Sequence, residues 1–147
     1  MPLIVRHLSE KHALDLQNAV ERALAEWAPG LDEPRDILEA LERVLVFLRQ
    51  KGGASTQARQ VAAAAFVLGH QVARVARWTW HSVSEDGSLN PSVVSPDGRR
   101  ALPVVDVTTQ RLLGEVQEPL WVLLAACVDG TPHPLVLELP AVGAPPA

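Results

Sequence analysis

The stretch GHQVARVARWTWHSVSEDGSLNPSVVSPDGRRALPVVD, residues 69–106, decides the architecture of this chain. Its opening residues continue a helical pattern, with Val72 and Val75 extending a stripe begun by Val61, Ala65 and Leu68. At Trp78 the period changes to alternation. Trp78, Trp80 and Ser82 then share one side, and Thr79, His81 and Val83 the other. The punctuation changes too: Glu85-Asp86-Gly87-Ser88 predicts a turn, and Ser95-Pro96-Asp97-Gly98 predicts a hairpin joining Ser92–Ser95 to Arg99–Val104. Proline presets φ there, and Asp-Gly tolerates a positive φ. A long helix feeding a strand and a hairpin predicts an α+β fold, a helical layer on a small antiparallel β-meander.

Upstream, Ser9 suits the N-cap of a first helix carrying Leu16, Val20, Leu24 and Trp27 on one face, stopped by Pro29-Gly30. A second helix is expected from Asp32-Glu33-Pro34, with Ile37, Leu41, Val44, Leu45 and Leu48 as its apolar stripe and Gly52-Gly53 as its end. The short link between them predicts an N-terminal helical hairpin. Ser55 is read as the cap of the long third helix, which Ala62 to Ala65 and Gly69 keep thin enough for a close neighbour. Downstream, Pro103 belongs at a strand end or edge, and Asp106 is read as the N-cap of a short helix through Leu113 that Gly114 stops. Leu120 to Val128 fits either a buried helix or a strand paired with Leu135 to Leu139; Pro119 and Ala125-Ala126 favour the helix. Met1 to Val5 is too short an apolar run for a secretory leader and is read as leading into helical sequence. One globular domain, 1–139, with a flexible tail, 140–147, is expected.

With 147 residues, 48% hydrophobic and 20% charged, the chain has the composition of an ordinary globular domain. A net charge of -4 argues against a free nucleic-acid binder, which is usually basic. Cys127 is the only cysteine, so an internal disulfide is impossible and a cytoplasmic setting is expected. No apolar run approaches the ~20 residues that a bilayer requires, so no membrane role is expected. Eleven arginines against two lysines, with many alanines, suit a GC-rich bacterial genome.

Five histidines invite a search for a metal or a general base. His7 and His12 are five apart, a spacing that a helix does not bring to one face, and His70 and His81 can meet only through tertiary packing. No metal site and no cofactor are expected. Cys127, Ser92, His81 and Asp106 supply residue types for nucleophilic catalysis without any spacing that joins them, so no catalytic residue is assigned. Arg74, Arg77, Arg99 and Arg100 around Trp78 and Trp80 interleave cations with rings as single-strand binders do, but Glu85, Asp86 and Asp97 offset them. The expected function is therefore non-enzymatic: protein–protein contact or self-association through Phe66, His70, Arg74 and Arg77 of the third helix, with Arg99 and Arg100, or through the strand edge near Pro103. The alternatives are a small hydrolase or ligand-binding protein using His81, Asp106 and Arg99 at the helix-to-meander junction, and nucleic-acid binding.

The run from Leu68-Gly69-His70 to Trp80, the hairpin Val93 to Arg99 and the proline-bearing strand into Asp106-Val107 resemble small bacterial domains of unknown function. In these a glycine-containing helix feeds a Trp-bearing strand, a hairpin and a short closing helix. Some are similar to immunity-type proteins that block secreted toxins. The resemblance implies a fold and a protein partner, and it carries no residue role.

Overall fold

The computed structural model describes residues 3–52 and 54–139; the expected tail 140–147 lies outside them. Along the chain run β1 (Ile4–His7), α1 (Glu10–Trp27), α2 (Pro34–Lys51), α3 (Ala54–Ala76), β2 (Thr79–Ser84), β3 (Pro91–Val94), β4 (Arg100–Pro103), α4 (Val104–Leu112), α5 (Leu120–Asp129) and β5 (Leu137–Glu138). The class is α+β, five helices with a curled five-stranded antiparallel sheet among the described residues.

Local chemistry accounts for most helix ends. The Ser9 hydroxyl accepts from the His12 N–H at 3.1 Å, capping α1. Pro34 occupies the first turn of α2, where its missing N–H costs nothing. At the other end of α2 the buried Gln57 amide donates to the carbonyls of Leu48 (2.7 Å) and Gly52 (2.8 Å). It thereby satisfies acceptors that a helix C-terminus leaves orphaned. Leu120–Asp129 is helical, and Pro119 stands at its N-cap.

Two expected caps are corrected. Helix α3 starts at Ala54, so Ser55 falls within its first turn. Helix α4 starts at Val104 with Pro103 at its N-cap, and Asp106 is an exposed first-turn residue whose carboxylate suits the positive end of the helix dipole. Strand β4 passes into α4 with no linker, so the helix begins where the ladder ends.

The sheet follows chain order, β1-β2-β3-β4-β5, every pair antiparallel. The Ser95-Pro96-Asp97-Gly98 hinge is as expected. Ser95 N–H bonds to Arg100 O at 2.9 Å, Asp97 Oδ1 accepts from Ser95 Oγ at 2.6 Å and from Arg99 N at 3.0 Å, and Gly98 takes φ 72°. Strand β1 was not expected, since Met1 to Val5 was read as leading into a helix. Four residues with no alternation acquire strand identity only by pairing with β2, from Ile4 opposite Ser84 to His7 opposite His81. Pro103 sits buried at the end of β4 and opposite Ser92. That strand end is one of the two positions expected for it; β4 itself is not an edge strand, because β5 pairs with its far side through Arg100–Glu138 and Ala101–Leu137. The open edges are β1 and β5.

Helix α3 is the hub, packing against α1, α2, α4 and α5 and against the sheet. Helices α1 and α2 touch, while the larger contact of α1 is with α3. The main core joins Leu38, Leu41 and Leu45 of α2 to Leu68 and Val72 of α3, to Val93 and Leu102 of the sheet and to Trp78. On the other sheet face Val83, Val94, Ala101 and Leu139 form a smaller cluster. Neighbouring residues Val93 and Val94 point to opposite faces, as the strand period demands.

Gly69 fits α3 to the sheet. A β-carbon added there would run into the Trp80 ring, 2.7 Å from Cζ2 and closer still to Cη2. Alanine would raise helix propensity by about 1 kcal/mol, against overpacking costs of about 1–3 kcal/mol. Gly69→Ala is expected to lower stability in urea unfolding by roughly 1 kcal/mol or more, and to raise it once Trp80→Leu has removed the ring. The same sign in both backgrounds would contradict this seating.

Candidate functional site

Two of the depressions among the described residues combine apolar walls with a few polar groups. One, of about 300 Å³, lies where α1 crosses α3 and β2, lined by Leu16, Val20, Leu24, His70 and Trp80 with Gln17 and Glu21 among the polar groups. The other, of about 480 Å³, runs between the end of α2, the start of α3 and α4. Leu48, Val61, Val105, Leu112 and Leu113 form its apolar walls, and Arg49 and Gln57 bring polar groups. Gly114 leaves room for the Arg49 guanidinium, which a β-carbon would meet at 2.8 Å. Val46, Arg49, Leu112 and Gly114 also line an adjoining hollow, so the two are continuous across Arg49 and Leu112. Val46 and Leu113 stand 56% and 58% exposed beside it.

The six residues expected to form one interaction surface are distributed. Phe66, His70 and Arg74 do share one stripe of α3, four residues apart. Phe66 is half-buried, edge-on to Trp80 at 6.3 Å and 84°. Arg74 reaches the Asp32 carboxylate at 3.3 Å and also donates to the Asp32 carbonyl and, at 3.0 Å, to Gln71 Oε1. That directs the other amide atom, Gln71 Nε2, to donate to His70 Nδ1 at 3.2 Å. Arg77 is exposed, with φ 62° at the turn from α3 into β2. Arg99 is exposed on the hairpin, whereas Arg100 is half-buried with its guanidinium 5.4 Å over the Trp78 ring.

His81, Asp106 and Arg99 line neither of these depressions. His81 faces away from the helices, on the side of the sheet opposite Trp80, and Asp106 stands on the outside of α4. Trp78, 3% exposed, fills the junction where that pocket was expected. Cys127 is buried, and burial pushes its thiol from 9.0 up to about 11, against a smaller opposing pull from Arg100. Among the described residues no three His, Cys, Asp or Glu side chains gather as metal ligands. No helix among them is long and apolar enough to cross a membrane.

Several residues that matter carry no sequence signal. Glu42 of α2 accepts from Arg111 Nε at 2.9 Å and from the Leu120 N–H at 2.7 Å, and its carboxylate forms an ion pair with Arg111 Nη2 at 2.9 Å. One carboxylate thus binds α4 and the first turn of α5 to α2. The groove residues Val46, Arg49 and Leu113 looked like ordinary surface positions, because their neighbours come from three separate helices. Comparison with family models, with curated proteins and with solved structures finds no match.

Two measurements follow from these environments. With the thiol at about 11, roughly a thousandth of Cys127 is ionised at pH 8. Iodoacetamide is expected to alkylate the folded chain at least ten times more slowly than the urea-unfolded one; equal rates would place the thiol in solvent. Burial, and secondarily Arg74, hold the His70 pKa below 6.5. Below that pH the unfolded chain binds the extra proton more readily, so this contribution to stability is complete above pH 6.5 and declines as pH falls. His70→Leu is expected to flatten the loss of urea midpoint between pH 7 and 5, and an unchanged slope would remove His70 from the account.

Proposed function

We propose that this protein works by binding another polypeptide, and that the groove between α2, α3 and α4 is where contact is made. The observation that supports this is the apolar strip continuing from the groove onto Val46 and Leu113, two large aliphatic side chains held more than half in solvent. Single exposed apolar residues are normal, but a strip continuous with a concave apolar wall is typical of contact surfaces. Arg49 stands within it as a cation able to meet a carboxylate or a carbonyl. The bound segment is apolar along one side, from a second copy of this chain or from a different protein. An immunity-type role rests on the sequence resemblance of residues 68–107, of which Val105 alone is among the apolar groove walls named above. A buried thiol at Cys127 is in keeping with a cytoplasmic setting.

A ligand-binding alternative takes the smaller cleft at the junction of α1, α3 and β2. Its 300 Å³ volume falls at the lower limit of small-molecule sites, and His70 supplies a neutral imidazole against the Trp80 ring.

Light scattering across about 5–200 μM separates self-association from a foreign partner. A dimer that Leu113→Asp converts to monomer is expected if the occupant is a second copy. If the chain is monomeric throughout, a photo-crosslinking residue at position 113 in the source cell is expected to trap one discrete protein, lost on Val46→Asp and not trapped from position 10 on the exposed start of α1. A monomer that traps nothing at position 113 overturns the reading.

A further inference from the structure

We propose that His7 and His81 form a surface site for a divalent transition-metal ion, with Cu²⁺ bound more tightly than Zn²⁺. The two residues stand directly opposite each other in the β1–β2 ladder, so both side chains leave the same face of the sheet. Their rings lie 4.9 Å apart between centroids and are tilted by 39°. Both are accessible, His7 exposed and His81 half-buried. Convergence on one ion therefore requires only side-chain torsions, with each metal–nitrogen bond near ~2.0 Å.

The hydrogen bonding of His81 supplies the second, independent observation. Its Nδ1 lies 3.3 Å from the Thr79 carbonyl oxygen and 3.4 Å from Thr79 Oγ1. A carbonyl can only accept, so in the tautomer that makes this bond Nδ1 carries the proton and the lone pair resides on Nε2. An imidazole whose far nitrogen donates to a backbone carbonyl is the usual arrangement of a metal-bound histidine: the outer bond fixes the tautomer and raises the basicity of the ligating nitrogen. Nothing within the pair competes for that lone pair, since the partner ring is another imidazole and not a carboxylate.

The ligand set specifies the class of ion. Two neutral nitrogens suit the borderline metals, and the order of stability places copper above zinc. Calcium and magnesium need oxygen donors that this pair does not offer. With two protein ligands the remaining coordination positions stay with solvent, so binding is exchangeable and suited to metal capture or relay. Because His7 lies on an open sheet edge, those positions also face outward, where a partner can reach the ion.

The test is a titration of the untagged full-length chain with Cu²⁺ and, separately, with Zn²⁺, in a non-coordinating buffer. One Cu²⁺ per chain is expected, with a nitrogen superhyperfine pattern from two imidazoles in the electron paramagnetic resonance spectrum. Either His7→Gln or His81→Gln is expected to weaken binding at least tenfold and to remove that pattern. His133→Gln should leave it intact, because both His133 nitrogens are already engaged, with Glu118 at 3.1 Å and the Leu135 N–H at 3.1 Å. Paramagnetic broadening in the unmodified protein gives a reading that needs no variant: substoichiometric Cu²⁺ should first bleach amide signals around residues 5–8 and 80–82. Bleaching centred elsewhere, binding that survives loss of either histidine, or no binding at all overturns the assignment.

Discussion

The contact of the Trp80 indole with the bare backbone of Gly69 sets the distance between the helical layer and the sheet. No other residue at position 69 lets α3 lie as close to β2, because any β-carbon would occupy the space of the ring. The close approach lets the strand following α3 turn back immediately, with Arg77 alone in the left-handed region between them. Trp78 then enters the main core while Phe66 closes on the edge of Trp80. Aromatic pairs in this edge-to-face geometry contribute roughly 0.5–1.5 kcal/mol beyond the area they bury, so the joint is directional as well as apolar.

Around that joint the helices are oriented by a few polar side chains whose partners are distant in sequence. Glu42 holds Arg111 and the Leu120 N–H, Gln57 closes the end of α2, and Gln71 relays from Arg74 to His70. Apolar packing alone tolerates small rotations of one helix on another. A buried amide or carboxylate does not, because leaving it unpaired costs about 1–3 kcal/mol. Such groups explain why a core built of Leu, Val and Ala adopts one arrangement of its helices.

The side chains that sequence would nominate for chemistry are either spent on structure, as Arg74, Arg100 and Cys127 are, or stand apart in solvent, as Asp106 and Arg99 do. Apolar surface on α2 and α4 and an imidazole pair on the sheet edge stand in solvent.

Much of this fold is legible without coordinates. The change of period at Trp78, the Pro-Asp-Gly hinge, the Ser9 cap and the proline at the head of α2 act through covalent geometry and near neighbours. The α+β class and most element boundaries follow from them, since such forces are written in contiguous residues. Sequence also set apart Phe66, His70 and Arg74, whose spacing of four places them on one helical stripe. It could not show that β1 is a strand, that β4 is an interior strand, or that α4 starts two residues before Asp106, because a strand exists through its partner and a helix start through its backbone bonds. The groove at Val46 and Leu113, the carboxylate clamp of Glu42 and the meeting of His7 with His81 were decided by tertiary structure alone. Each joins residues whose separation along the chain carries no information about distance until the sheet has paired and the helices have packed.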